Sequence, residues 1–296
     1  MKTSEIIKKL NQFGSTKFNK GDYINRELSF LMFNNRCLHQ TLRKQVPIIE
    51  RCNFLSITSS NLDEFISVRL ASTINKMMDD TPEIEISGMT PYSEYKNLLE
   101  SIHNFKDLQN ICYEKLVDKL EKKYNVTLCK FKDLSKDEKS YIGKIFYKNI
   151  FPLLVPINYD TTKEFPELLS GQLSIIVSME DIHNNNFQVI SFIPLDNNMD
   201  LIYKIPSKGN KEKYILLEEI IYGYLNKIYY GKNIVDYGMI KLIREADIQL
   251  SHNEDIYITD RMKQTLLRRK YSSPIFMDVT SNVSKDLQKL LIKIFD

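Results

Sequence analysis

The chain has 296 residues, with 41 Lys and Arg against 38 Asp and Glu for a net charge of +3, and 43% of it is hydrophobic. That length suits two domains, each able to bury a core. The even charge balance excludes the strongly basic profile of a dedicated nucleic-acid binder.

Met1 to Phe13 alternates lysine with isoleucine and has no apolar centre, so it does not read as a signal peptide. The first twenty residues, punctuated by Gly14 and Gly21, read as a loose polar arm. No apolar run approaches the ~18 residues of a membrane span. Cys37, Cys52, Cys112 and Cys129 show no Cys-x-x-Cys spacing, which points to reduced thiols in a cytoplasmic protein and away from a zinc site.

A helix is expected to begin at Asn25, which can cap it, with Glu27 in the first turn and Leu28, Leu31, Leu38 and Leu42 on one face. Pro47 suits the first turn of a second helix that carries Ile48, Cys52 and Leu55. The run Ser59-Ser60-Asn61 then reads as a polar turn feeding a third helix, with Ser60 as N-cap and Asp63 three residues on. Leu62, Phe65, Ile66 and Leu70 form the apolar stripe of that helix, which should run to about Met78. Asn61, at its start, carries both a donor and an acceptor and has no evident duty beyond the cap.

Asp79 to Pro91 reads as a loop, and Tyr95, Leu98, Leu99, Ile102, Phe105, Leu116 and Leu120 describe a long amphipathic helix to about Lys123. The expectation is α+β: an N-terminal all-α bundle over 1–124, then a mixed α+β head domain over 125–296, divided at Tyr124-Asn125. In the second part, Val126 to Phe131 alternates like a strand, and Ser135 with Glu138 is a capping box opening a helix that buries Tyr141, Ile142, Ile145 and Phe146. Strands are expected at Leu173 to Val177 and Phe187 to Phe192 around an Asn-rich turn, His183 to Asn186. A helix over Ile215 to Tyr229, a strand over Tyr237 to Ile243, a helix over Ile256 to Arg269 and a strand over Ile275 to Val279 follow. Leu287, Leu290, Leu291 and Ile294 mark a last helix.

No phosphate-binding glycine loop is present, since Gly231-Lys232-Asn233 lacks both the first glycine and the hydroxyl residue. His39 and His103 lie on expected helices and His183 and His252 in polar loops; because a working histidine needs an orienting partner, each reads as structural or surface, and no catalytic residue and no metal ligand is assigned. Lys208, Lys211 and Lys213, and Arg268, Arg269 and Lys270, are basic runs. They read as solvated faces, because no aromatic interleaving makes a stacking platform for a polyanion.

Three blocks in order carry a family resemblance: Asn25 to Asn34, Pro47 to Arg51, and Ser60-Asn61-Leu62-Asp63-Glu64-Phe65 with Val68-Arg69. They resemble the N-terminal domain of the bacterial polyphosphate kinases, which polymerise the terminal phosphate of ATP. Phe151 to Pro156, Phe165-Pro166 and Arg244-Glu245-Ala246-Asp247 extend the likeness into that family's head domain. The resemblance implies ATP as substrate and polyphosphate as partner, a cytoplasmic homo-oligomer, and no membrane span or nucleic acid. It places Asn61 against the adenine of ATP, with Asp63, Glu64 and Arg69 as a supporting shell that Arg26 and Glu27 could join. The family's phosphohistidine and its Mg²⁺ belong to domains beyond the head domain, so the 296 residues alone are expected to be inactive. Phe30 stands where the family usually has Trp, and Ile243-Arg244-Glu245 where it usually has Thr-Arg-Asp. A freestanding, non-catalytic nucleotide- or polyanion-binding module of the same fold is the alternative.

Overall fold

The computed structural model describes residues 23–78, 87–159, 168–181, 184–196, 198–207, 209–246 and 274–295. The chain divides into two compact units, Met1–Lys123 with Glu245–Arg269, and Tyr124–Arg244 with Lys270–Asp296.

The first unit is helical among its described residues. Helix α1 (Arg26–Gln40) begins as its sequence requires. The Asn25 side-chain carbonyl accepts from the Glu27 and Leu28 amides, at 3.0 Å each, while Leu28, Leu31 and Leu38 turn into the core. Pro47 immediately precedes α2 (Ile48–Phe65), where its missing N–H removes no helical bond. No turn interrupts the chain at Ser60. Helix α2 runs unbroken through Ser59, Ser60 and Asn61, passes into a π-helical turn (Ile66–Leu70) and continues as α3 (Ala71–Met78).

Ser and Asn favour caps because their side chains can satisfy a free backbone group. Here that preference is overridden by burial: Leu62, Phe65, Ile66 and Leu70 are all at most 2% exposed, so the stripe holds the helix together across the polar run. The π turn lets the Ser67 carbonyl accept from the Ala246 amide at 2.9 Å, and Asn75 Nδ2 donates to Glu245 Oε1 at 2.6 Å. The first unit ends at Lys123, and Glu245–Arg269 is a return segment that belongs to it.

Helix α4 (Pro91–Tyr124) is 34 residues long and buries Leu98, Ile102, Phe105, Leu108, Cys112 and Leu116 at helical spacing. It is tied to the other helices by polar side chains as well. Asn25 Nδ2 donates to Glu94 Oε1 at 2.8 Å, and Gln109 Nε2 donates to Thr58 Oγ1 at 3.0 Å. Asn125 ends it with φ 55°, a left-handed conformation that Asn tolerates better than most residues.

The second unit is α+β. Its first sheet has the order β1-β6-β5, formed by β1 (Val126–Cys129), β5 (Ile202–Ile205) and β6 (Glu212–Leu216), with β1 parallel and β5 antiparallel to β6. The second, all antiparallel, has the order β2-β4-β3-β7-β8. Its strands are β2 (Ile157–Tyr159), β3 (Leu173–Asp181), β4 (Asn184–Pro194), β7 (Asn233–Arg244) and β8 (Pro274–Val279). Helices α5 (Lys136–Ile145) and α6 (Leu217–Ile228) cover one face of this sheet, and α7 (Lys285–Phe295) covers the other.

Strand β3 is therefore buried on both sides. Ile175, Val177 and Met179 pack under α5 and α6, and Ile176 packs under α7. The intervening Ser178 and Ser174 are also buried, so the strand loses simple alternation.

Ile215 belongs to β6 and not to the helix expected from it, because its backbone pairs with Cys129 and Tyr203 in the ladder. Asn184 to Asn186 lie in β4 rather than in a turn. The arm at 1–22, His183 and the helix expected over Ile256 to Arg269 lie outside the described residues. No helix of the described residues is long and apolar enough to cross a membrane.

The capping box at α5 is closed as its sequence predicts, with Ser135 and Glu138 bonding each other's amides. Lys213 Nζ adds a 2.8 Å ion pair to Glu138, and this bond, with the Ser135 amide, holds the carboxyl down at about 2. A depressed carboxylate stabilises the fold above its unfolded value of 4.5, and the gain disappears as pH falls toward 2. Glu138→Gln should cost about 2 kcal/mol at pH 7 and almost nothing near pH 2, read from urea titrations at both. Gly223→Ala should cost about 1–3 kcal/mol. A Cβ there would overlap the Phe131 ring, and urea unfolding at pH 7 measures the loss.

Candidate functional site

Antiparallel α1 and α2 meet along a seam with one rung per helical turn. At one end Asn61 Nδ2 donates to Asn34 Oδ1 at 3.1 Å. One turn along, the Phe30 and Phe65 rings stack with centroids 5.3 Å apart and planes 6° from parallel. One turn further, Glu27 lies 3.9 Å from Arg69 Nε and 3.8 Å from Arg26 Nε. Spacings of four and three residues on α1, against four and four from Asn61 to Arg69, bring these pairs into line. Phe30 occupies a rung where its apolar ring suffices, since stacking on Phe65 needs no indole N–H.

The middle of the seam is closed and its edge is open. Asn34 is fully buried and Phe65 nearly so, whereas Asn61 is half-buried and Phe30 and Phe33 are 36% and 46% exposed. Arg36 lies over the Phe33 ring, 5.7 Å from its centroid. Arg26 and Arg69 share the single carboxylate of Glu27, so these three side chains together carry about +1, with the buried Glu94 carboxylate held beside them by Asn25. Both guanidinium groups are substantially exposed.

Asn61 thus sits mid-helix on α2, near Asn34 and two turns from Arg69. Arg69 reaches the seam through Glu27. Asp63 is half-buried and Glu64 exposed, and the Glu64 carbonyl accepts from Ser67 Oγ at 3.0 Å. One Asn61 N–H is committed to Asn34, which leaves the side-chain carbonyl and a second N–H. That pair matches the donor and acceptor on a purine edge.

Thr58 and Gln109 escape motif reading, and Asn34 closes the first block of the resemblance without a role assigned to it, yet the three hold Asn61 in place. The signal for Asn34 was available: it follows Leu28 and Leu31 and precedes Leu38 on the apolar face of α1, and a polar residue on a buried stripe needs a partner.

Other candidates remain apart from the seam. Lys213 is paired with Glu138, Lys211 is exposed, and Lys208 and Arg268 to Lys270 lie outside the described residues. His39 lies in the last turn of α1 and His103 on the exposed face of α4, while His183 and His252 are outside the described residues. Burial pushes the Cys37, Cys52 and Cys112 thiols up, which keeps them protonated and unreactive. Among the described residues no group of three or more His, Cys, Asp or Glu could hold a metal ion.

Residues 23–128 match the polyphosphate kinase N-terminal domain and residues 137–296 the polyphosphate kinase middle domain. A polyphosphate kinase of Halalkalibacterium halodurans is 26% identical over 277 residues, covering 93% of this chain and 39% of that protein. Another, from Prosthecochloris aestuarii, is 27% identical over 281 residues with the same coverage. The crystal structure of polyphosphate kinase from Porphyromonas gingivalis superposes on 92% of the chain and 37% of its own, with a TM-score of 0.74 at 21% identity. The fold is therefore shared, and the chain spans about 39% of the length of these curated relatives. By both domain matches, the chain belongs to the polyphosphate kinase family, of which it carries the N-terminal and middle domains.

Proposed function

We propose that this chain forms the adenine-reading wall of the nucleotide site in a polyphosphate kinase that transfers the terminal phosphate of ATP to polyphosphate. The observation that carries this reading is the half-buried Asn61 amide, held through one N–H by Asn34 with its carbonyl and second N–H uncommitted. The exposed aromatic edge of Phe30 and Phe33 offers a ring surface nearby on α1, and the net positive Arg26–Glu27–Arg69 end suits an anionic nucleotide. Asp63 and Glu64 act here as supports of the helix, because carboxylates facing a polyphosphate would repel it without an intervening cation.

Phosphoryl transfer and its Mg²⁺ belong, in this reading, to phosphohistidine domains C-terminal to the middle domain. The described residues supply no metal cluster, so no step is assigned to them. The protein is read as a cytoplasmic homo-oligomer with no nucleic-acid partner. Exposed Tyr147, Phe151, Leu153 and Val155 in the second unit suit contacts between copies.

A base contact is similar in the ground state and the transition state, so it sets nucleotide affinity and not the chemical step. The 296-residue chain, incubated with γ-labelled ATP and Mg²⁺, should acquire no acid-labile phosphate. Titrations should show ATP, ADP and adenosine bound weakly and about equally. Asn61→Ala should weaken all three by about fivefold, the equivalent of one lost hydrogen bond. In the full-length kinase the same change should raise KM for ATP several-fold and leave kcat intact. Unchanged affinity together with a lowered melting temperature would reduce Asn61 to a packing residue.

A further inference from the structure

We propose that Asn34 is a positioning residue that fixes which way the Asn61 amide faces, and thereby makes the site select 6-amino over 6-oxo purines. The inference rests on the reading of Asn61 as the residue facing the base.

A side-chain amide at an open edge has two orientations, related by half a turn, that exchange its oxygen and nitrogen. The two orientations read opposite patterns. Adenine presents an amino donor at C6 beside an acceptor at N1. Hypoxanthine presents a carbonyl acceptor at C6 beside an N1–H donor. An amide free to turn over would bind either base, so donor and acceptor atoms alone do not give selectivity.

The seam removes that freedom, starting from the main chain. The Thr58 carbonyl is a backbone acceptor and cannot reverse its polarity. Asn34 Nδ2 donates to it at 3.0 Å, which leaves Asn34 Oδ1 facing the other way. That oxygen accepts from Asn61 Nδ2 at 3.1 Å. Were Asn61 to turn over, two acceptor oxygens would face each other at that distance beside a fully buried side chain, and one bond would be lost. Turning Asn34 over to compensate would set its oxygen against the Thr58 carbonyl.

Thr58 is itself fixed, since its hydroxyl donates to the Leu55 carbonyl at 2.8 Å and accepts from Gln109 Nε2 at 3.0 Å. The polarity therefore passes from a backbone carbonyl through Asn34 to Asn61. The Asn61 carbonyl is left to accept from the C6 amino group, and its second N–H to donate to the ring nitrogen.

The test is titration of the 296-residue chain with ATP and with ITP, followed by ¹⁵N-resolved side-chain amide shifts. The wild-type chain should prefer ATP by about tenfold. Asn34→Leu keeps the volume and removes the acceptor, so the preference should fall toward one. Asn34→Asp keeps an acceptor facing Asn61 but sets a carboxylate oxygen against the Thr58 carbonyl. It should melt lower than wild type and still prefer ATP. Selectivity and stability then separate, which a purely structural role does not allow. Where Asn34→Leu does not fold, Asn34→Ser makes the same test, because a hydroxyl that both donates and accepts cannot impose a polarity.

A wild-type ratio in a folded Asn34→Leu or Asn34→Ser overturns the proposal, as does loss of preference in Asn34→Asp. Equal wild-type affinity for ATP and ITP overturns it while leaving a nucleotide site in place. Absence of binding to either nucleotide removes the Asn61 reading and this inference together.

Discussion

The α1–α2 seam depends on a hydrogen bond between a buried amide and a helix carbonyl. Asn34 is fully buried, so its polar atoms must be satisfied inside the protein, and the second lone pair of the Thr58 carbonyl meets that need. With Asn34 held there, α1 cannot slide along α2 without losing the bond. The register that results brings Phe30 over Phe65 and Glu27 beside Arg69. A core of Leu28, Leu31, Leu62 and Phe65 alone would tolerate several registers, since apolar packing is non-directional. The polar rung selects one.

Much of this was legible in the sequence, and the exceptions share a cause. Asn25 as a cap, Ser135 with Glu138 as a capping box, and the stripes of α4 and α7 are local signals, and each stands where its spacing put it. Ser60 does not start a helix, because capping preference is worth about 1 kcal/mol while the buried stripe that continues the helix is worth several times that. β2, with three residues, pairs with β4, and β6, with five, pairs with β1 far back in the chain. No short window of sequence contains those partners. Asn61 stood out by resemblance, whereas Asn34, which gives it an orientation, is identified by its place on an apolar face.

The second unit follows a different logic. A strand covered on both faces has no polar side to display, so β3 reads as Ser-Ile-Ile-Val-Ser-Met in place of an alternating pattern. The Ser174 hydroxyl is buried in this layer without a hydrogen-bond partner among the described residues. Ser191 on β4 has two, accepting from the Tyr229 hydroxyl at 2.8 Å and donating to the Ile157 carbonyl at 3.3 Å. Burial holds the Tyr229 phenol up at about 12, so this bond keeps its polarity throughout the physiological range.

The return of the chain to the helical unit has a consequence for the order in which the protein is built. Asn75 and Glu245 are 170 positions apart, and the Ala246 amide lies still further along the chain from the Ser67 carbonyl that it meets. A ribosome would have to finish all of β7 before either contact could form. Until then the Ser67 carbonyl must be satisfied by water, and the nascent helical unit lacks one of its ties. Closing so long a loop is entropically costly and adds few contacts, so this tie belongs to a late stage of folding. The helical unit is thus contiguous in space and interrupted in time.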